Sequence, residues 1–531
     1  MTPMGQPEAD LIAAMTEPGF YPERPPNVEF RQTHISCVFL AGQSVYKIKK
    51  PVRFPFVDYS TLKLRYEFCQ EEVRLNRRLT PRVYLGVFPI IRGPQGLALG
   101  AEPVEQFDPT AVEYAVKMRR LPDERSLERL VRANQVNDTD MRRIAQVLAK
   151  FHAEAARDQS VRYGSPEVVG EVVSRNLEEC RGFIGDTIGE AEFQRIDRFN
   201  RSFIDTNRRL LERRAATGMV REGHGDLRSE HICMTAEVDV IDCVEFSEGL
   251  RYVDIASDLA FLLMDLDRLG APALGRQLLT TYVEQIADPE LPRLLNFYKC
   301  YRAAVRAKVS SLKAMQDKVL EPQRRSVRET ARNYFAASLG YAKAGSPVLI
   351  VVCGLPASGK STIAKALAER SGFPVFNSDV IRKRLAGKAP TSRAGADWRQ
   401  GIYAPELTDA TYAALLTEAA AVLRSGTGAI IDATYAETDE RVAVRDMARQ
   451  IAVPIVFVEC AVGDAEVKAR LDARARQPDA VSDATWEIYL RHKAAFAPFT
   501  ADFAQCHLRV EGATSAAEVA WEIERFIVNH Y

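Results

Sequence analysis

The sequence predicts two parts of different class, an α+β front half and an α/β rear half built on a parallel, doubly wound sheet. Two observations carry that reading. From residue 348 onward, short apolar strands at 348–353, 374–377, 428–432, 454–460 and 506–510 alternate with helices, the order that buries a parallel sheet between helices. Before residue 346 the strand-like segments cluster near the N-terminus and a long helical run follows. The length agrees, since 531 residues exceed what one hydrophobic core usually holds.

The elements follow in order. Residues 1–30 read as a short helix and a proline-rich lead-in at Pro22, Pro25 and Pro26. Strands at 35–40 and 45–49 flank the turn Ala41-Gly42-Gln43, a β-hairpin. A helix over 62–79 ends at Thr80-Pro81, and strands at 83–91 and 112–120 surround a Gly-Pro turn. Helical periodicity runs from 126 to 216, a strand–loop–strand spans 223–244, and helices continue to about 344. The Lys343-Ala344-Gly345-Ser346-Pro347 stretch reads as the linker. The expected domains are therefore 1–340, with lobes at about 30–120 and 121–340, and 346–531.

Composition narrows the class. The chain is 47% hydrophobic and 27% charged, which suits a folded globular protein rather than a disordered one. Lys+Arg and Asp+Glu both number 71, so the basic excess of a non-specific nucleic-acid binder is missing. The nine cysteines are scattered and form no C-x-x-C pair, which argues against a zinc site and suggests reduced thiols and a cytoplasmic setting. The first fifteen residues lack a basic start and a long apolar run, so no signal peptide is expected. Runs of ~18 consecutive apolar residues are also missing, so no membrane partner is expected.

The strongest motif is Gly354-Leu355-Pro356-Ala357-Ser358-Gly359-Lys360-Ser361-Thr362, which fits G-x-x-x-x-G-K-[ST] between a strand and a helix. Such a loop points backbone N–H groups at phosphate oxygens. Lys360 reaches the β- and γ-phosphates of ATP, and the Ser361 hydroxyl binds Mg²⁺. Asn377-Ser378-Asp379-Val380-Ile381-Arg382 follows the second strand. There Asp379 serves either as the base for an attacking hydroxyl or as a helix cap, and Arg382 suits an anionic group on the acceptor. Asp432, ending an apolar strand before Ala433-Thr434, suits a Mg²⁺ contact or a plain turn. Arg470 and Arg474 share one helix face, as either a phosphate-covering lid or a solvated basic face.

On those motifs, residues 348–531 resemble small P-loop kinases: polynucleotide 5′-hydroxyl kinases, zeta-toxin-like kinases and gluconate-kinase-like enzymes. The resemblance implies that Asp379 is the base and that the lid arginines bind phosphate. Relatives often carry Asn after D-A-T, where this chain has Tyr435.

The front half holds a second constellation, His224-Gly225-Asp226-Leu227 followed by Ile241-Asp242. One carboxylate to orient a hydroxyl and one to hold Mg²⁺ is what phosphoryl transfer needs. His224 suits a bracing role. Asp258 either pins the loop or caps a helix. These residues, with Asp258-Leu259-Ala260, resemble the aminoglycoside phosphotransferase family over roughly residues 33–335. The resemblance implies a bilobal, protein-kinase-like α+β fold, with Asp226 as base and Asp242 as metal ligand. It also implies a nucleotide-holding Lys47 paired with Glu72; Lys49 and Glu71 compete by spacing. His231, where relatives carry a second metal-binding asparagine, is by that resemblance a candidate metal ligand, although imidazole is a poor partner for Mg²⁺. A G-x-G-x-x-G loop is missing from the front half.

The whole resembles bacterial proteins that fuse such a phosphotransferase-like region to a P-loop region of the AAA-family ATPase kind. The expected function is bifunctional, ATP- and Mg²⁺-dependent transfer of γ-phosphoryl groups to hydroxyl acceptors. The alternatives are a 5′-hydroxyl polynucleotide kinase or small-molecule kinase in the rear half, gated by a nucleotide-sensing pseudokinase in front.

Overall fold

A computed structural model of the chain describes residues 6–54, 57–94, 96–316, 320–389, 400–424, 427–475, 485–511 and 515–530. It divides into two compact units, 1–169 with 209–288, and 170–208 with 289–531. This division departs from the expected break near 346. The helix Glu321–Gly345 runs almost to the strand Leu349–Cys353, and a Cβ on Gly345 would lie 2.6 Å from the Phe199 ring. The stretch that reads as a linker is a packed corner inside one unit, which local composition cannot reveal.

The first unit carries a six-stranded antiparallel sheet. Its order is Val28–Gln32, Ser36–Ala41, Ser44–Lys49, Glu113–Arg119, Tyr84–Gly93, Gly96–Leu99. The helix Leu62–Asn76, capped by the Thr61 side chain, lays Tyr66, Cys69 and Val73 on one face against Tyr114 and Val116. The N-terminal helix Gln6–Thr16 places Leu11 and Met15 with Phe39, Tyr46 and Ile48 on the other. The expected strand–loop–strand over 223–244 is finer than its pattern suggested. Val220–Glu222 pairs with Tyr252–Asp254, and a small hairpin joins Ile232–Met234 to Val238–Val240.

The second unit contains the predicted parallel sheet, in the order Val375–Asn377, Ala429–Asp432, Leu349–Cys353, Ile455–Ala461, His507–Glu511. Alternating residues of the central strand feed two cores, as a strand's period of two requires. Leu349, Val351 and Cys353 join Leu415, Val444 and Phe457 on one side. Val348, Ile350 and Val352 join Ala364, Leu367, Val519 and Ile523 on the other. All nine cysteines are free and buried, packed as small hydrophobes. No described helix is long and apolar enough to cross a membrane.

Candidate active sites

In the second unit the central strand ends at Cys353 and the phosphate loop begins. Gly354 has φ +128°, and a Cβ there would meet the Cys460 carbonyl at 2.6 Å, so only glycine fits. Ala357 (φ 61°) and Gly359 (φ +98°) also take left-handed backbone, curling residues 354–359 over the start of the helix Lys360–Ser371. Pro356 precedes that turn, and the Thr362 N–H closes on the Gly359 carbonyl at 3.1 Å. The Ser358 hydroxyl is buried without a hydrogen-bond partner among the described residues. A helix N-terminus, a glycine cradle and an orphaned hydroxyl suit phosphate oxygens. Lys360 Nζ donates to the Leu355 carbonyl at 2.8 Å, curled back over its own loop.

Asp432, 3% exposed, ends the neighbouring strand. Its Oδ2 accepts from Ser361 Oγ at 2.6 Å and from Asn377 Nδ2 at 2.7 Å. Hydroxyl and carboxylate oxygens together suit a hard cation such as Mg²⁺. Asn377, whose role the residue pattern did not disclose, also caps the helix Ser378–Leu385 by accepting from the N–H groups of Asp379 and Val380. An Asn directly before a helix was the available signal. The cap is therefore not Asp379. Burial pushes the Asp379 carboxyl up, and Arg382, Lys360 and Lys383 reverse only part of that shift.

Arg382, expected to hold an anionic group on the acceptor, is drawn toward the protein interior. It is buried, donates to Thr408 Oγ1 at 2.9 Å and lies 5.0 Å from the Tyr403 ring centre. It braces the segment before the helix Pro405–Arg424. Tyr435 is also turned from the site, its ring packed at 5.1 Å against Tyr412 in the core. Arg470 reaches the phosphate loop, donating to the Ala357 carbonyl at 3.2 Å while pairing with Glu466. Arg474 lies outside the residues whose side chains are described. His492 was not legible as a site residue. Burial and the charges of Lys360 and Arg382 push its imidazole down to about 4.

In the first unit, Lys47 and Lys49 lie on one strand two residues apart and so share a face. Both reach Glu72: Lys47 Nζ at 2.8 Å from Oε1, Lys49 Nζ at 2.8 Å from Oε2. Lys47 also pairs with Asp242 at 2.9 Å. Lys49, fully buried, pairs with Glu245, which accepts from the Tyr59 hydroxyl at 2.7 Å. Glu71 instead pairs with Arg74 and Arg251. Burial pushes the Asp242 carboxyl up, but Lys47 and His231 more than reverse it and hold it below the usual range.

The 224–226 loop is pinned from below. Asp258 accepts from the His224 N–H at 2.5 Å and the Gly225 N–H at 2.9 Å, and His152 Nε2 lies 3.3 Å away. Asp254, not Asp258, caps the helix Ile255–Arg268. His224 Nε2 faces the Ile241 carbonyl at 2.9 Å, tying the Asp226 loop to the Asp242 strand end. Asp226 itself accepts from Arg228 Nη2 at 2.9 Å. His231 is corrected as a metal ligand. Its Nδ1 faces the Asp226 carbonyl at 2.9 Å and its Nε2 faces Arg228 Nη2 at 3.3 Å. A carbonyl only accepts and a guanidinium only donates, so neither ring nitrogen keeps a lone pair for a metal. With each carboxylate matched to a cation, this donor set does not fit Mg²⁺ as arranged. No group of three or more metal-ligating side chains occurs among the described residues.

The family model for an AAA domain matches residues 349–499. Two mycobacterial proteins named as uncharacterised, Rv2004c of Mycobacterium tuberculosis and Mb2027c of Mycobacterium bovis, are each 32% identical over 467 residues, covering 87% of this chain and 89% of theirs. Among solved structures, a choline/ethanolamine kinase family protein from Mesorhizobium loti aligns at 12% identity and a TM-score of 0.37, over 62% of this chain and 98% of that one. Identity of that extent, spanning both compact units, places this chain in one family with Rv2004c and Mb2027c.

Proposed function

We propose that the second unit is an ATP-dependent phosphotransferase with a hydroxyl acceptor. The observation that carries this reading is the convergence of Lys360, Ser361, Asp432 and Asp379 at one edge of the parallel sheet, where such sheets bind ligands. Bound ATP with Mg²⁺ supplies an electrophilic γ-phosphoryl group. The loop N–H groups bind its phosphates, and Lys360 swings from the Leu355 carbonyl to neutralise them. Ser361 and Asp432 would hold the metal. Asp379, its carboxyl raised by burial, takes the acceptor hydroxyl's proton as that oxygen bonds to the γ-phosphorus and the bond to the bridging β-phosphate oxygen breaks, releasing ADP. Arg470 covers the loop and stabilises charge built up during transfer.

For the first unit the expected reading is a second phosphotransferase, with Asp226 as base. One observation favours a nucleotide-sensing role instead: Arg228 and Lys47 already neutralise Asp226 and Asp242. The test is label transfer from γ-labelled ATP into an extract of small molecules and RNA, 5′-OH ends included. Wild type is compared with Lys360→Ala and Asp226→Asn. Lys360→Ala abolishes the product of the second unit; a full yield from this variant sinks the proposal. Loss of a distinct product in Asp226→Asn makes the chain bifunctional, and unchanged products make the first unit a sensor.

A further inference from the structure

The second unit holds a cavity of about 780 Å³, within the range of small-molecule sites. It lies at the opposite edge of the sheet from the phosphate loop, against the strand beginnings at Val348, Gly428 and Pro454. Its charge is one-sided. Arg195, Arg198, Arg293, Lys299 and Arg370 line it, against the single acid Glu524. Glu524 pairs with Arg370 at 2.8 Å.

Three features make this a built site rather than a chance basic patch. Lys299 is only 3% exposed. Holding an ammonium out of water is costly unless compensated, and the rings of Tyr341 and Trp521 lie 5.3 and 5.7 Å from its Nζ. The Nε–H groups of Arg293 and Arg370 are buried with no acceptor among the described residues, so these two lining side chains keep hydrogen-bonding capacity that the described residues leave unused. Trp521, with the Arg370 guanidinium 4.1 Å from its ring centre, gives the wall an aromatic face.

The cavity also touches the phosphate-loop helix. Lys360–Ser371 starts at Gly359 and ends at the cavity with Arg370, Ser371 and the left-handed cap Gly372. A Cβ on Gly372 would meet Arg293 Nε at 2.4 Å, so Arg293 lies directly against that helix end. Twelve residues span roughly 18 Å at the α-helical rise. One rigid element thus joins the cavity to the nucleotide loop.

We propose that this cavity binds a small molecule bearing a phosphate chain, as an effector site distinct from the phosphate loop. Trp521 reports on it, because an anion draws Lys299 and Arg370 away from the indole. The experiment uses the full chain with Trp398→Phe and Trp486→Phe, leaving Trp521 as the only tryptophan. Its emission is titrated with inorganic triphosphate and, separately, with ATP. The expected result is a saturable change that survives Lys360→Ala and needs about tenfold more ligand in Arg293→Ala and in Arg195→Ala, the loss of one charge-assisted contact. Response to triphosphate alone assigns recognition to the phosphate chain; response to ATP only assigns the base as well. No saturable change with either ligand overturns the proposal. So does a change lost in Lys360→Ala and kept in both arginine variants.

Discussion

Two lysines on one strand have different work, and burial tells them apart. Lys49 is sealed between Glu72 and Glu245, while Lys47 keeps 14% of its side-chain surface and faces Asp242, which keeps 47%. Lys49→Met leaves Glu245 and half of Glu72 without a buried partner, so denaturant unfolding should show a loss of about 3–5 kcal/mol. Lys47→Met leaves Glu72 its Lys49 contact and should cost clearly less than Lys49→Met, and it should weaken the ATP binding proposed for the first unit. Equal destabilisation by both would contradict the assignment. A pH effect belongs at this scale too. The His492 imidazole is lowered to about 4 from its ordinary 6.5, so the unfolded chain takes up the proton more readily. Its contribution favours folding above about pH 6.5 and is lost as pH falls toward 4. His492→Leu should flatten the stability profile over that window, and an unchanged profile would count against it.

At the scale of elements, the parallel sheet was the most legible part of the chain. Its three central strands are apolar runs, and all five strands lie within a residue or two of their predicted limits. The phosphate loop was legible because its glycines carry backbone demands that sequence displays directly. The first unit's loop at 224–231 was legible in its residues but not in its wiring. Nothing in the spacing of Asp226, Arg228 and His231 shows that a guanidinium fills both the carboxylate and the imidazole lone pair. The burial of Arg382 was likewise not legible, because sequence gives charge but not depth. Phe457 is a fair probe of the sheet, fully buried with Phe503 at 5.4 Å and Phe499 at 5.6 Å. Phe457→Ala should cost about 3–5 kcal/mol in denaturant unfolding, and a loss under about 1 kcal/mol would show that the site collapses around it.

For the molecule as a whole, the linker-like stretch at 343–347 is a misleading place to cut. The helices Glu190–Thr206 and Leu291–Ala314 and the Glu321–Gly345 helix belong with the sheet in one compact unit, where Lys299 meets Trp521 and Phe199 meets Gly345. A fragment of residues 346–531 should melt well below the intact chain and aggregate, having bared the apolar surface around Trp521. A fragment that melts at the intact unit's temperature would restore the boundary read from sequence. The same interleaving shapes how the protein is made. Residues 170–208 belong to a unit whose remaining members begin at 289. At roughly 5–20 residues per second of synthesis, the helix Glu190–Thr206 leaves the ribosome on the order of ten seconds before Phe297 of the Leu291–Ala314 helix exists. Until then Phe203 lacks the ring it stacks on at 4.4 Å, so the newborn chain, rather than the finished protein, is where a holdase chaperone would find its substrate.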